Sequence, residues 1–317
     1  MANHRVFCAV IISAWLLHMA PIIDAWGKEG HTIICKIAQA RLSDTAASAV
    51  KELLPKSAEG DLSSFCLWAD KIKFRYRWSS PLHYLNTPDS CSYKYSRDCK
   101  DEDGERGRCV AGAINNYTTQ LLSYNAESSS KSEYNLTESL LFLSHFMGDI
   151  HQPLHTAFAS DKGGNTIDVH WYRRKESLHH VRKKLNTKCI RRTSINTRYT
   201  LIECAGIIQI WDVNIIETAE ENLYDSNVEE MIDAIQKNIT TEWANQVKRW
   251  ERCSKKTACP DIYASEGIKA ACDWAYKGVT EGETLEDEYF YSRLPIVNLR
   301  LAQAAVRLAA TLNRIFG

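Results

Sequence analysis

The stretch Ser144 to Thr156, SHFMGDIHQPLHT, constrains this chain more than any other. His145 and Asp149 are four residues apart at the end of an apolar, helically spaced run. On a helix that spacing puts both side chains on one face, about 5–6 Å apart at Cβ, where they can share a metal ion. Pro153 ends the helix and turns the chain so that His155 can come back. His151 is a fourth candidate ligand, off the His145–Asp149 face. One histidine on an apolar helix reads as a hydrogen-bonded core residue. Three histidines and an aspartate between 145 and 155 read as metal ligands, and the fold must bury them together.

The surrounding pattern is mainly α-helical. Apolar residues at helical spacing predict helices over His31–Leu54, which stops at Pro55, and over Val110–Tyr124. Thr137 is the expected cap of a helix from Glu138 to about Ile150. Further helices are expected over Val228–Trp250 and over Leu294–Ile315, with Pro295 near the start of the last. Polar loops span Ser79–Gly107 and Glu127–Asn135. Gly163 and Gly164 mark a turn before Thr166–Tyr172, the one expected short strand or hairpin.

The N-terminus reads as a signal peptide over residues 1–25. Arg5 precedes an apolar run, Val6–Leu17, too short for the roughly 20 residues that span a bilayer. Ala25 offers a small residue for cleavage, so the mature chain begins at Trp26. No later segment is apolar and long enough to anchor the chain in a membrane. Secretion implies disulfides. Of 11 cysteines, Cys8 leaves with the signal peptide, and Cys189 and Cys204 lie in an anomalous segment considered below. The other eight admit many connectivities. Short loops favour Cys99–Cys109 and Cys253–Cys259, and Cys35–Cys66 with Cys91–Cys272 would complete the set. Sequons at Asn116, Asn135 and Asn238 fit the same route, outside the cell or in a vacuole. The formal net charge of +0 makes no demand for a nucleic-acid partner.

Other candidate ligands are dispersed: His31, Asp70, His83, His179, His180 and Asp212. Taken singly, each is an ordinary surface or structural residue. Together with WGKEGH at Trp26, LWAD ending at Asp70, SPLHYLNTPD at Ser79, HFMGDIHQPLH at His145, GGNTIDVHW at Gly163, LHH at Leu178 and WD at Trp211, they make the chain similar to the zinc-dependent S-one/P-one type nucleases. That family includes mung bean nuclease and the plant bifunctional nucleases. The resemblance covers the mature chain, 26–317, except roughly Val181 to Ile210.

The resemblance implies one mainly helical domain of the phospholipase C type with three zinc ions in a cleft. One zinc would be held by Asp70, His83, His145 and Asp149. A second would take the amine and carbonyl of Trp26, the ring of His31, and Asp149 as a bridge. A third would take His155, His179 and Asp212. The Trp26 amine can ligate only after signal cleavage. Zinc pairs of this kind make a nucleophile from water and stabilise a leaving oxygen. The implied activity is hydrolysis of RNA and single-stranded DNA to 5′-phosphate products, with 3′-nucleotidase activity, by a monomer. Lys73 is the matched cation, and with Asp70 and Asp149 it forms the catalytic set. Tyr84 is the matched base-stacking residue, and Asn165 the cleft asparagine. Asn86 stands where fungal members carry an aspartate that reads the base. Two alternatives stand beside this reading: a zinc phospholipase C, which shares fold and metals, and a non-catalytic secreted glycoprotein.

The chain departs from the family between His179 and Asp212. Members read LHHxWD, with the two ligands four apart; here an extra segment intervenes. It carries Arg182, Lys183, Lys184, Lys188, Arg191, Arg192 and Arg198 against Glu203 alone. Without it the formal charge falls from +0 to about −6. Val181-Arg182 can be encoded by GTAAG and Gln209 by CAG, the sequences that bound an intron. Joining His180 to Ile210 restores LHHIWD. The segment is therefore expected to be a retained intron or a gene-model error.

Overall fold

A computed structural model describes residues 26–125, 133–172, 204–206, 209–254 and 256–317. Beside a single turn at Tyr95–Asp98, its α-helices are α1 (Lys28–Gln39), α2 (Asp44–Leu53), α3 (Trp68–Ile72), α4 (Val110–Leu121), α5 (Leu136–Asp149), α6 (Ile215–Leu223), α7 (Val228–Thr240), α8 (Ala244–Glu251), α9 (Pro260–Ala270) and α10 (Asp287–Phe316). A 3-10 helix over Arg77–His83 and another over Pro153–Thr156 matter to the site. α10 is the spine: it packs against α1, α2, α5, α6 and α8, and α5 lies against α4. α5 is buried from Ser139 to Asp149, so its polar residues sit inside the core.

Several helix boundaries differ from the sequence expectation, each for a local reason. The expected helix His31–Leu54 is two helices. Ser43 breaks it, because its Oγ accepts from Ala46 N (3.2 Å) as an N-cap and its own N donates to Asn313 Oδ1 at the end of α10 (2.9 Å). α5 is capped by Asn135, whose Oδ1 accepts from Glu138 N (3.3 Å); Thr137 instead donates to Leu53 O (2.7 Å). The expected helix Val228–Trp250 divides into α7 and α8, because Trp243 turns inward against Trp250, ring centroids 6.1 Å apart. α10 begins at Asp287, before the expected Leu294, with acidic residues in its first turn, and carries Pro295 inside. Val110–Tyr124 runs as α4 to Leu121 and continues as a 3-10 turn over Leu122–Asn125.

The expected strand is β1 (Asp168–Trp171). β2 (Cys204–Gly206) pairs with it antiparallel, Val169 opposite Ala205, and β3 (Thr284–Leu285) pairs parallel on the other edge, Trp171 opposite Leu285. The stretch Thr166–Tyr172 thus holds one strand and no hairpin of its own; its partners come from far along the chain and make a three-stranded sheet, and β2 falls within the anomalous segment. Disulfides join Cys35 to Cys66, Cys91 to Cys272, Cys99 to Cys109 and Cys253 to Cys259. Asn116 and Asn135 are exposed and Asn238 half-buried. Among the described residues no helix is long and apolar enough to cross a membrane.

Candidate metal centre

The apolar residues of α5 seat it in the core, and the same burial forces His145 and Asp149 to find polar partners inside. They find each other: His145 Nε2 lies 3.3 Å from Asp149 Oδ1. His145 Nδ1 donates to the carbonyl of Cys66 (2.7 Å), which fixes the ring and aims Nε2 into the cluster. The Cys35–Cys66 disulfide ties that carbonyl to α1, one turn beyond His31. His31 stacks on His145, centroids 4.0 Å apart and 12° from parallel. Gly148 makes the approach possible, since a Cβ there would stand 2.8 Å from His31 Cε1 and Nδ1.

α3 and the 3-10 helix Arg77–His83 supply the opposite wall. His83 Nδ1 is 3.0 Å from Asp149 Oδ2, 3.5 Å from Asp70 Oδ1 and 3.2 Å from His145 Nε2. His145 Nε2 is 3.5 Å from Asp70 Oδ2, and Lys73 Nζ donates to Asp70 Oδ1 (3.0 Å). His31 Nε2 lies 3.2 Å from Asp149 Oδ1. Two groups result, His31–His145–Asp149 and Asp70–His83–His145, each with its ligand atoms within 4.8 Å of one another and wholly buried.

His155 is brought back by Gln152, which caps the 3-10 helix Pro153–Thr156 by accepting from Leu154 N (2.6 Å). The Nδ1 of His155 donates to His83 O (2.9 Å), and its Nε2 lies 3.8 Å from Asp212 Oδ1. Gln152 Nε2 also donates to Asp212 Oδ1. Asp212 sits on a π-helical turn, Ile210–Asn214, and its carbonyl accepts from Gly27 N (2.7 Å), which sets buried Trp26 between the start of α1 and the Asp212 turn. His179 and His180 lie outside the described residues.

Charge shows what such a cluster is suited to hold. Burial and the neighbouring His145 push His31 and His83 well below the ordinary imidazole range. Burial also works against charge on His145, but Asp149 and Asp70 outweigh it and lift that ring to about 9. Burial takes His155 down to about 4. Burial would raise Asp70, yet His145, His83 and Lys73 hold it well below the usual carboxylate range. The imidazole nitrogens His83 Nε2 and His155 Nε2 are buried with no hydrogen-bond partner among the described residues. Imidazoles held neutral at His31, His83 and His155, and carboxylates at Asp70 and Asp149, converge on one volume with nitrogen and oxygen donors only, and that donor set fits zinc.

The remaining candidates separate. Tyr84 and Asn86 line a cavity of about 330 Å³ with Arg97, Lys100 and Glu102. Asn165 is not among its walls, and its Nδ2 donates to Lys162 O (2.6 Å). His151 faces away from the cluster, towards Arg307 on α10. Gln152 was missed from sequence, although a polar residue just before the helix-starting Pro153 is a capping signal.

A mainly helical chain that buries two His/Asp groups sharing His145, with Asp149 of one in reach of His83 in the other, has the outline of a metal-dependent hydrolase. The chain matches the S1/P1 Nuclease family over residues 26–199 and 207–317. It is 70% identical to Endonuclease 2 of Arabidopsis thaliana across 100% of both chains. It is 50% identical to Endonuclease 4 of the same plant over 98% of this chain and 94% of that one. It is 29% identical to Nuclease P1 of Penicillium citrinum over 92% and 98%. The chain belongs to the S1/P1 nuclease family, a nuclease hydrolase with that family's phospholipase C-like helical fold.

Proposed function

We propose that this protein is a secreted, zinc-dependent endonuclease that hydrolyses RNA and single-stranded DNA to 5′-phosphate products and also removes phosphate from 3′-nucleotides. What supports the reading is Asp149. Its Oδ1 is 3.2 Å from His31 and 3.3 Å from His145, while its Oδ2 is 3.0 Å from His83, so one carboxylate touches both ligand groups. Asp70, His83, His145 and Asp149 would hold one zinc; His31, Asp149 and the Trp26 amine a second; His155, Asp212 and His179 a third. Bound there, zinc supplies Lewis acidity and a nucleophile at neutral pH.

The chain's own residues do the rest. The buried walls keep bulk water from the donors and strengthen every charge inside. Lys73, held at Asp70, sets a cation beside the place where phosphate charge develops. Tyr84 offers its ring to an unpaired base. Asn86, with both a donor and an acceptor, accommodates more than one base edge. Removal of residues 1–25 frees the Trp26 amine and couples maturation to activity, and the three sequons carry glycans. The 181–209 segment is retained intron sequence or a gene-model error; the pairing of Cys204–Gly206 with β1 is the observation on the side of a genuine loop.

The experiment is a parallel assay of the mature protein on RNA, single-stranded DNA and phosphatidylcholine, with zinc content measured on the same sample. Cleavage of both nucleic acids with the lipid untouched supports the proposal. Turnover of lipid alone, or of nothing in a zinc-loaded protein, overturns it.

A further inference from the structure

The segment between Asp70 and His83 starts and finishes in the metal centre, and what lies between reads KIKFRYRWSSPL. Lys71, Lys73, Arg75 and Arg77 alternate with Ile72, Phe74, Tyr76 and Trp78, and no acidic residue occurs between Asp70 and Asp89. In a chain of formal net charge +0 this is a local concentration of cations.

The structure divides the alternating residues. Ile72 and Tyr76 are half-buried, and the Tyr76 hydroxyl donates to Glu138 Oε1 (3.2 Å). Phe74 and Trp78 face outward, 59% and 47% exposed. Lys71, Arg75 and Arg77 are exposed, while Lys73 turns to Asp70. Trp78 is held in place. Its ring stacks on Tyr76 with centroids 5.7 Å apart, and its carbonyl accepts from Arg108 Nη2 (2.9 Å).

Single exposed apolar residues are ordinary on a protein surface. Two large rings interleaved with three exposed cations, on a segment whose ends are metal-centre residues, are a different arrangement. Unpaired bases stack on such rings without regard to sequence, and cations beside them neutralise the linking phosphates. We infer that residues 71–78 form a docking track for single-stranded nucleic acid leading to the metal centre. Phe74 and Trp78 stack on bases, and Lys71, Arg75 and Arg77 meet phosphates. The inference rests on the nuclease reading and adds that the enzyme grips strands longer than a dinucleotide. A duplex keeps its bases stacked inward and cannot use the rings.

The test compares the zinc-loaded mature protein with Phe74→Ala/Arg75→Glu/Arg77→Glu on a long oligothymidylate and on a thymidine dinucleotide, across a salt series. The ratio of kcat/KM for the long strand to that for the dinucleotide is expected to fall about tenfold. The salt dependence of KM for the long strand should become shallower by about 0.7 per lost phosphate contact. Phe74→Tyr/Arg75→Lys/Arg77→Lys should restore both. If the triple variant melts early, Arg75→Glu alone, at an exposed position, reads the salt slope. An unchanged ratio and slope, with both substrates cut by wild type, overturns the track alone. A wild type that cuts neither overturns the nuclease reading and the track with it. Binding of anionic vesicles abolished by the triple variant, with its oligonucleotide kinetics unchanged, assigns the patch to a membrane surface and also overturns the track.

Discussion

Arg307 donates a guanidinium hydrogen to His151 Nε2 across 2.9 Å, in a pocket closed to solvent. His151 must therefore be neutral, with its proton on Nδ1, which donates to Met147 O (2.7 Å). Burial, then Arg300 and Arg307, push the ring well below the ordinary imidazole range, which agrees with that tautomer. Arg300 Nε donates to His151 O (3.0 Å), and both arginines bind Glu266. The turn that separates Asp149 from His155 is thus held from behind by α10.

Replacing Arg307 with methionine leaves Glu266 and His151 without their main partner. Arg307 is buried but Glu266 is only half-buried, so the loss is that of a stranded buried acceptor at His151 plus a solvent-screened ion pair, about 2 kcal/mol, and the urea midpoint should drop accordingly at pH 7. A loss under about 1 kcal/mol would show that the turn is held by packing alone. The pair also has a pH signature. Burial raises Glu266, but Arg307 and Arg300 outweigh it and hold the carboxyl below its usual range. Its stabilising share is present above the unfolded carboxyl pKa and is lost as pH falls through the lower folded value.

Glu220 behaves in the opposite sense. Burial, then Glu29 and Glu217, lift it to about 7. Because its folded pKa exceeds the unfolded one, its contribution is present below about pH 4.5 and is lost as pH rises through about 7. Glu220→Gln should therefore stabilise the protein at pH 8, by about 1 kcal/mol after allowance for solvent screening, and make no difference at pH 4. Thermal melts of the two proteins at both pH values check it. Equal melting temperatures at pH 8 would refute it.

Trp26 is buried beside the start of α1 and the Asp212 turn. A protein that keeps Ala25 in front of it turns the free amine into an amide, which has no lone pair to offer a metal. Mature protein beginning at Trp26 should cleave single-stranded DNA about 100-fold faster than protein beginning at Ala25. Equal rates would remove Trp26 from the ligand set.

How far the sequence reveals this molecule depends on the range of the interaction. His145 and Asp149 are legible because helical spacing is local, and the turn at Pro153 that returns His155 is local too. The break at Ser43 is not, because a distant partner, Asn313, decides it; the break at Trp243 turns on packing against Trp250, a spacing of seven that one continuous helix would also put on one face. Arg300 and Arg307 carry no sequence signal of burial, yet both are buried, since Glu266 on α9 and the carbonyl of His151 meet them there. The π-helical turn at Asp212 has no pattern signal of its own. The exposed rings Phe74 and Trp78 follow an alternation that suggests a strand, and only the fold shows which residues of the alternation face outward.

Deleting residues 181–209 tests the intron reading. The shortened protein joins His180 to Ile210 and should bind three zincs and cleave faster than the full chain. Closing so long a loop costs roughly 3 kcal/mol, against about 10–16 kcal/mol for a structural zinc site, so the full chain can still load its third ion. Transcript sequencing gives the second half of the test: a dominant message should lack the segment. A transcript that always carries it, with equal activity in both proteins, would establish a genuine loop that uses β2.

The central claim is that Asp149 joins two metal ions into one working site. Asp149→Asn keeps the shape and removes the charge that faces His31 and His145 on one side and His83 on the other. The direct measurement is zinc per chain by atomic absorption, on wild type and on Asp149→Asn, with single-strand cleavage assayed on the same samples. Three zincs in the wild type are expected, with fewer in the variant, a fold unchanged by circular dichroism and turnover reduced at least about 1,000-fold. An Asp149→Asn protein that keeps three zincs and full activity would contradict the account.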